Sequence, residues 1–378
     1  MELSAEDSLR LNVLLATSLQ AVRIDESSMT VHALSDQGEA SVKLHPRGRD
    51  GQYLKQVREL ISSQVLGSPG GYPVFLRRWT RMGQARDDSL EQLLMLGEPE
   101  AVVAVVHAAG LTDEIARRAW WAMPVADNAR RMLERECVVS GSMGPELAEF
   151  LIEFLPFETE HNAMIDTVRL VLQPGLIDDD LRDKLWRQAR RKNSFYVGFM
   201  DAVPDQLPEA GKARSDAAAV QAKLAPLLDK GNPLATQLCR CLSGQGQTFL
   251  VTAAIAMKKP TNQDVVVEFL KSVQRYFSSV CPNSDPAADI QLIVSDAEAL
   301  LDVPGVCATT TAVQEVLAAA PECRDDVKAL LALAWVGEPL VNPIFARSDA
   351  IGSVMRKKIE PITGPLQQQL DQLLGKGS

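Results

Sequence analysis

The chain is short of the residues on which most catalytic or stapled designs depend. Of 378 residues only four are histidine (His32, His45, His107 and His161) and six are cysteine. The histidines are widely separated, and none forms the HxH or HxxxH spacing that aims two imidazoles at one metal. The cysteines, at 137, 239, 241, 281, 307 and 323, are too irregular for a disulfide framework. Aromatics make up only 5% of the chain, which suits helix packing better than a large sheet. No basic excess exists in either half: residues 1–200 carry 23 basic and 29 acidic groups, residues 201–378 carry 16 and 20. An extended nucleic-acid surface normally shows such an excess, so that class is not favoured. No apolar run reaches membrane-spanning length; the longest, Phe249 to Met257, is half of what a bilayer needs. The acidic start MELSAEDSLRLNVLL lacks the pattern of a secretion signal, which leaves a cytoplasmic protein as the expectation.

What is abundant is leucine and alanine at helical spacing. Between residues 85 and 136 the sequence reads as four short helices, parted by Gly97-Glu98-Pro99, Gly110-Leu111-Thr112 and Met123-Pro124. Leu90, Leu93, Leu94 and Leu96 form one apolar stripe, Val102, Val103, Val105 and Val106 the next, and Ile115, Ala116, Ala119 and Trp120 a third. Helices of a few turns cannot bury such faces alone, so neighbours must stack, as in a HEAT-like helical array. No motif recurs at a strict period.

Ser4 and Asp7 read as a capping box for a helix to about Leu19. Residues 29–34 and 40–44 alternate around Ser35-Asp36-Gln37-Gly38, predicting a β-hairpin, the one strand signal in the chain. Further helices are expected at about 52–64, 74–82, 146–155, 160–172, 178–192, 214–229, 233–242, 246–258, 262–279, 287–301, 310–319, 324–336, 347–358 and 365–374. The fold class is therefore mainly α, multi-helical, with one small hairpin near the N-terminus. The turn-rich stretches at 66–73 and 204–212 divide it into a helix/hairpin module (1–66), a stacked-helix array (67–205) and a C-terminal helical domain (206–378).

Catalytic motifs are missing. Ser68-Pro69-Gly70-Gly71 lacks phosphate-loop spacing, Gly141-Ser142-Met143-Gly144 is not a nucleophile elbow, and Glu153, Glu158, Glu160 and His161 are explained by capping and solvent exposure. No catalytic residue, metal site or cofactor is assigned. Cys239 and Cys241 are a candidate thiol site, although side chains two apart on a helix point in different directions and a thioredoxin-like pair needs two intervening residues. Interaction is the stronger reading. Arg77, Arg78, Trp79 and Arg81 put planar donors beside an aromatic, a hot-spot composition, and Arg117, Arg118 and Trp121 extend it. Trp120 and Trp121 cannot both face inward on a helix, so one belongs to the core and the other to a surface.

The segments VLGSPGGYPVFLRRWTRMGQ, SLEQLLMLGEPEAVVAVV, LTDEIARRAWWAMP and EFLIEFLPFETE resemble the DsrS family, cytoplasmic proteins encoded with the dissimilatory sulfite reductase genes of sulfur-oxidising bacteria. The resemblance covers roughly residues 1–200. It implies an accessory or regulatory role in sulfur oxidation, with a protein of that machinery as partner, and carries no reaction and no residue role. Because sulfur pathways pass persulfides between cysteines, it raises interest in Cys137, Cys239 and Cys241. Two further readings stand beside an interaction protein: a regulator contacting nucleic acid through the arginines, and a cysteine-based sulfur carrier or redox protein.

Overall fold

The computed structural model describes residues 3–46, 48–73, 87–209, 211–282 and 289–376. Its described residues are mainly helical, with one three-stranded antiparallel sheet. None of their helices is long and apolar enough to cross a membrane. The chain divides into two compact units, 1–154 and 155–378. The helix/hairpin segment and the short helices of the array share the first.

In the first unit α1 (Ala5–Leu15) leads into β1 (Leu19–Asp25), β2 (Thr30–Ser35) and β3 (Gly38–Lys43), followed by α2 (Asp50–Leu66). The expected hairpin is β2–β3, turned by Asp36-Gln37 with Gly38 at φ 109°. Helix α1 stops earlier than its leucines suggest, and the residues beyond it form the additional strand β1. A register shift between Leu19 and Ala21 puts Ala21 and Val22 both in the interior, which erases the alternation that marks a strand. Val22, Val31 and Ala33 pack on Leu11, Leu14, Tyr53, Val57 and Ile61 from α1 and α2.

Ser4 caps α1, its Oγ accepting from the Asp7 amide at 3.1 Å. The reciprocal half of the box is not made. Asp7 turns inward, fully buried, and accepts from the Tyr53 hydroxyl at 2.5 Å and the His45 amide at 2.8 Å. Burial opposes its charge, but those hydrogen bonds, with His45 Nδ1 and Ser4, outweigh burial and hold the carboxyl below its ordinary 3.8.

The array follows as α3 (Asp87–Leu94), α4 (Pro99–His107), α5 (Asp113–Ala122), α6 (Ala126–Met132), α7 (Glu136–Val139) and α8 (Met143–Phe154). Thr112 caps α5, and Asp113 accepts from the amides of Ser142 (2.9 Å) and Met143 (3.1 Å) at the start of α8. At the α3–α4 turn Gly97, at φ 66°, comes so close to β1 that a Cβ would lie 3.1 Å from Val22 and Ile24.

The second unit contains α9 (His161–Val171), α10 (Asp179–Ala189), α11 (Asn193–Ala202), α12 (Ala217–Asp229), α13 (Pro233–Leu242), α14 (Gly244–Lys258), α15 (Gln263–Phe277), α16 (Ile290–Leu301), α17 (Ala308–Ala319), α18 (Arg324–Ala334), α19 (Asn342–Phe345) and α20 (Gly352–Leu373). The segment expected as one helix to residue 192 ends at Ala189, and α11 begins afresh at Asn193. Seven consecutive residues of α11, Ser194 to Met200, are buried against α9, α10, α14 and α15. A helix apolar all round has no stripe to betray it. Trp186 of α10 lies edge-on to Tyr196 and Phe199 at 5.1 and 5.0 Å.

The two separate C-terminal helices expected from the sequence are one. Helix α20 runs through Pro361 and Pro365, which withhold the N–H groups owed to the carbonyls of Lys357 and Pro361. Pro361 is exposed and Pro365 half-buried, while Met355, Ile359, Ile362, Leu366, Leu370 and Leu373 keep the helical period across both.

Two stability measurements test this packing. A Cβ on Gly198 would sit 2.7 Å from Val168 Cβ and 3.0 Å from the Ile165 carbonyl. Gly198→Ala is therefore expected to destabilise by about 1–3 kcal/mol in denaturant titration, against the gain of up to ~1 kcal/mol its helix propensity offers. Asp7→Ala leaves Tyr53 and the His45 amide without their acceptor, at a cost of about 2–3 kcal/mol near neutral pH. A depressed carboxyl stabilises above 3.8 and loses that contribution as pH falls through its folded value. The gap in melting temperature between wild type and variant should narrow below that pH; a constant gap rules out the ionised Asp7.

Candidate functional site

Of the seven residues proposed as an interaction patch, Arg77, Arg78, Trp79 and Arg81 lie outside the described residues. The other three sit on α5 and are engaged within the first unit. Glu114 accepts from Arg117 Nε (2.9 Å) and Nη2 (2.7 Å) and from Arg118 Nε (2.9 Å). The Arg117 hydrogen bonds, reinforced by Arg118, hold the Glu114 carboxyl down at about 2, against a smaller effect of burial. Arg117 also donates to Gln20 Oε1 at 2.9 Å, and Arg118 pairs with Glu91 at 3.3 Å. Trp121 donates its Nε1–H to Glu39 at 2.6 Å, while the Arg23 guanidinium lies 5.0 Å over its ring and donates to its carbonyl at 3.2 Å. Trp120 is buried, edge-on to Phe150 at 4.7 Å. The tryptophans thus divide into one core and one partly exposed residue. This constellation fastens α5 to the sheet, and a partner would have to displace existing bonds to use it.

Cys239 and Cys241 occupy the last turn of α13. Cys241 is fully buried, and burial pushes its thiol up to about 12. Cys239 is half-buried and shifted the same way by the same cause. Between them Arg240 leaves the helix, pairing with both Asp205 oxygens at 2.8 and 2.6 Å and lying 3.9 Å over the Tyr276 ring. A thiol needs an exposed, electropositive setting to become a thiolate at neutral pH. Cys241 has the charge nearby but not the water, and Cys323, also buried, is likewise pushed to about 12. The exposed thiols are Cys137, 3.2 Å from the Leu111 carbonyl, and Cys307 at the start of α17. Hydrogen bonds from Thr310 lower the Cys307 pKa. Among the described residues no three histidine, cysteine or carboxylate side chains converge as metal ligands.

An open site that the sequence reading missed lies between α14 and α20. Two hydrogen bonds set these helices antiparallel: the Gly352 amide to the Thr261 carbonyl at 3.0 Å, and Gln247 Nε2 to the Leu373 carbonyl at 3.0 Å. Between those ends runs a groove of about 400 Å³. Met257 and Ile359 form its floor, and Lys258, Arg356 and Lys357 its basic rim, with Glu360 as the one acid in the lining. Lys259 follows directly. Arg356 donates one Nη to the Pro260 carbonyl at 3.1 Å, and among the described residues none of the four cations is in an ion pair. On the face of α14 that carries Lys258, Val251 and Ile255 are 41% and 44% exposed. Gly364 faces open space, with nothing within 4 Å of where its Cβ would be. The halves of this rim are about a hundred residues apart in sequence, so neither marks the site by itself.

Thiol titration of the native protein separates these environments. Cys307 is expected to react first, with Cys137 also accessible, and Cys241 and Cys323 only after unfolding; rapid native labelling of Cys241 would contradict the burial described. No family model matches the chain, and comparison with curated proteins and with solved structures likewise finds no match.

Proposed function

We propose that this protein acts without bond-making chemistry of its own, as a helical interaction protein whose docking surface is the groove between α14 and α20. The observation that carries this reading is the grouping, beside one open groove floored by Met257 and Ile359, of four cations that make no ion pair among the described residues: Lys258, Lys259, Arg356 and Lys357. Fixed charge around a concave surface with an apolar floor is what partner recognition uses: the charge orients, and the apolar area supplies affinity. The most buried thiols, by contrast, are held in their neutral form. The more specific assignment, an accessory or regulatory protein of sulfur oxidation in the cytoplasm, rests on the resemblance of the four quoted segments to the DsrS family.

Nucleic-acid binding would draw on the same cations. A chain of net charge −10 opposes a long polyanion beyond a few phosphates, so a protein partner is the better fit.

The test is native purification of the tagged protein from its own host at low salt. One partner should co-elute through size exclusion in fixed ratio, be shed as salt rises, and survive Cys239→Ser/Cys241→Ser. Elution alone at every salt concentration would remove the interaction reading, and loss of the partner in the double cysteine variant would favour the thiol reading.

A further inference from the structure

Strand β3 is the open edge of the N-terminal sheet. The strand order is β1-β2-β3, and β1 at the opposite edge is packed by α3 and α5. The Leu44 amide donates to the Met29 carbonyl at 2.8 Å, which fixes the phase of the β2–β3 ladder. In an antiparallel pair the hydrogen-bonded positions alternate, so Val31–Val42, Ala33–Ala40 and Ser35–Gly38 are the bonded pairs. Glu39, Ser41 and Lys43 therefore aim their amides and carbonyls away from β2. Among the described residues those backbone groups make no hydrogen bond, and all three residues are exposed.

Such an edge is a template for another strand, and proteins blunt theirs with proline, a bulge or a charge. Strand β3 has no proline, and its register with β2 runs unbroken from Gly38 to Lys43. Its two charges, Glu39 and Lys43, are of opposite sign and project from one face of the strand. Their cross-strand neighbours on β2 are Leu34 and Thr30, which bring no counter-charge. Neither Glu39 nor Lys43 is in an ion pair among the described residues. Glu39 accepts from Trp121 Nε1 through Oε1 alone, at 2.6 Å, and that bond holds the carboxylate on the face it shares with Lys43.

We infer that β3 pairs antiparallel with β3 of a second copy of this chain, about a two-fold axis at Ser41. Outward groups must meet outward groups, and one register engages all three residues. It sets Ser41 opposite Ser41, and Glu39 opposite Lys43 on both sides of the axis. That register makes about six backbone hydrogen bonds between the copies. It gives each charge the counter-ion it lacks, and the two-fold axis repeats the pair. On the other face it sets Ala40 opposite Val42. A slip of two residues breaks both ion pairs, and parallel pairing in register sets like charges side by side. The charges thus admit a second copy while discouraging other strands, and the closed pair consumes the free edge of both copies. The edge belongs to the first unit and the groove to the second, so this inference does not rest on the proposed function.

A ladder this short buries less than a standard interface, so the association is read by sedimentation velocity of the full chain over a wide range, roughly 1–200 μM. The wild type should move from monomer towards dimer as concentration rises. Lys43→Glu, which sets glutamates against each other, should weaken the dimer about tenfold or more. Glu39→Lys sets lysines against each other and should do the same. An equimolar mixture of the two variants should associate again, because each copy then meets its opposite charges at both ends. Ser41→Pro removes an N–H that the monomer does not use, and should abolish the dimer while the thermal melt stays cooperative. A chain that remains monomeric throughout, or a dimer indifferent to Lys43→Glu and Ser41→Pro, overturns the inference. So do folded single variants that fail to associate when mixed.

Discussion

The half-buried guanidinium of Arg214 is the contact on which the second unit's surface depends. It pairs with Asp216 at 2.7 and 2.8 Å and with Asp326 at 2.5 and 3.0 Å, and its Nη1 approaches the Gln372 and Leu373 carbonyls at 3.4 and 3.5 Å. Burial works against its charge, but the two carboxylates outweigh that and raise its pKa. An ion pair so placed need not make the fold more stable than an apolar core would; its value is geometric, since few arrangements satisfy every donor. Gln372 donates to Asp326 at 3.0 Å, and Gln247 links the Leu373 and Cys241 carbonyls at 3.0 and 2.9 Å. Together these contacts hold the end of α20 to the starts of α12, α14 and α18. With the Gly352–Thr261 hydrogen bond at its other end, α20 is laid along α14. The groove is a consequence of that alignment.

The same polar interior bears on how the chain works. Cys241 contributes its carbonyl to the network while its thiol stays in a dry setting, with a pKa near 12. Charge is abundant there, yet it is neutralised in pairs, Arg214 by two aspartates and Arg240 by Asp205.

Local signals made the mainly α class legible. Ser4, Thr112, Asp178 and Asn232 cap the helices they precede, and stripes such as Val102, Val105 and Val106 face the interior. Val103, expected in the same stripe, is exposed instead, because one helix face cannot hold both 102 and 103. What escaped were elements whose pattern is set by distant neighbours. Strand β1 lost its alternation to a register shift, α11 had no amphipathic face because helices surround it, and α20 was cut at prolines that its apolar stripe overrides. The groove escaped for a related reason: it joins residues near 258 to residues near 357, which long-range contacts such as the Arg214 network, the Gly352–Thr261 bond and the Arg356–Pro260 bond bring together. Arg117, Arg118 and Trp121 were conspicuous in sequence, and the structure finds them joined to Glu114, Glu39 and the sheet.

The most direct measurement is lysine footprinting: limited acetylation of the full chain, free and in complex with the partner that co-purifies with it, read by mass spectrometry. Binding in the groove predicts that Lys258, Lys259 and Lys357 lose reactivity, while the exposed Lys184 and Lys230 of the same unit keep theirs. Unchanged labelling of the three groove lysines in the complex, or protection appearing elsewhere instead, would contradict the account.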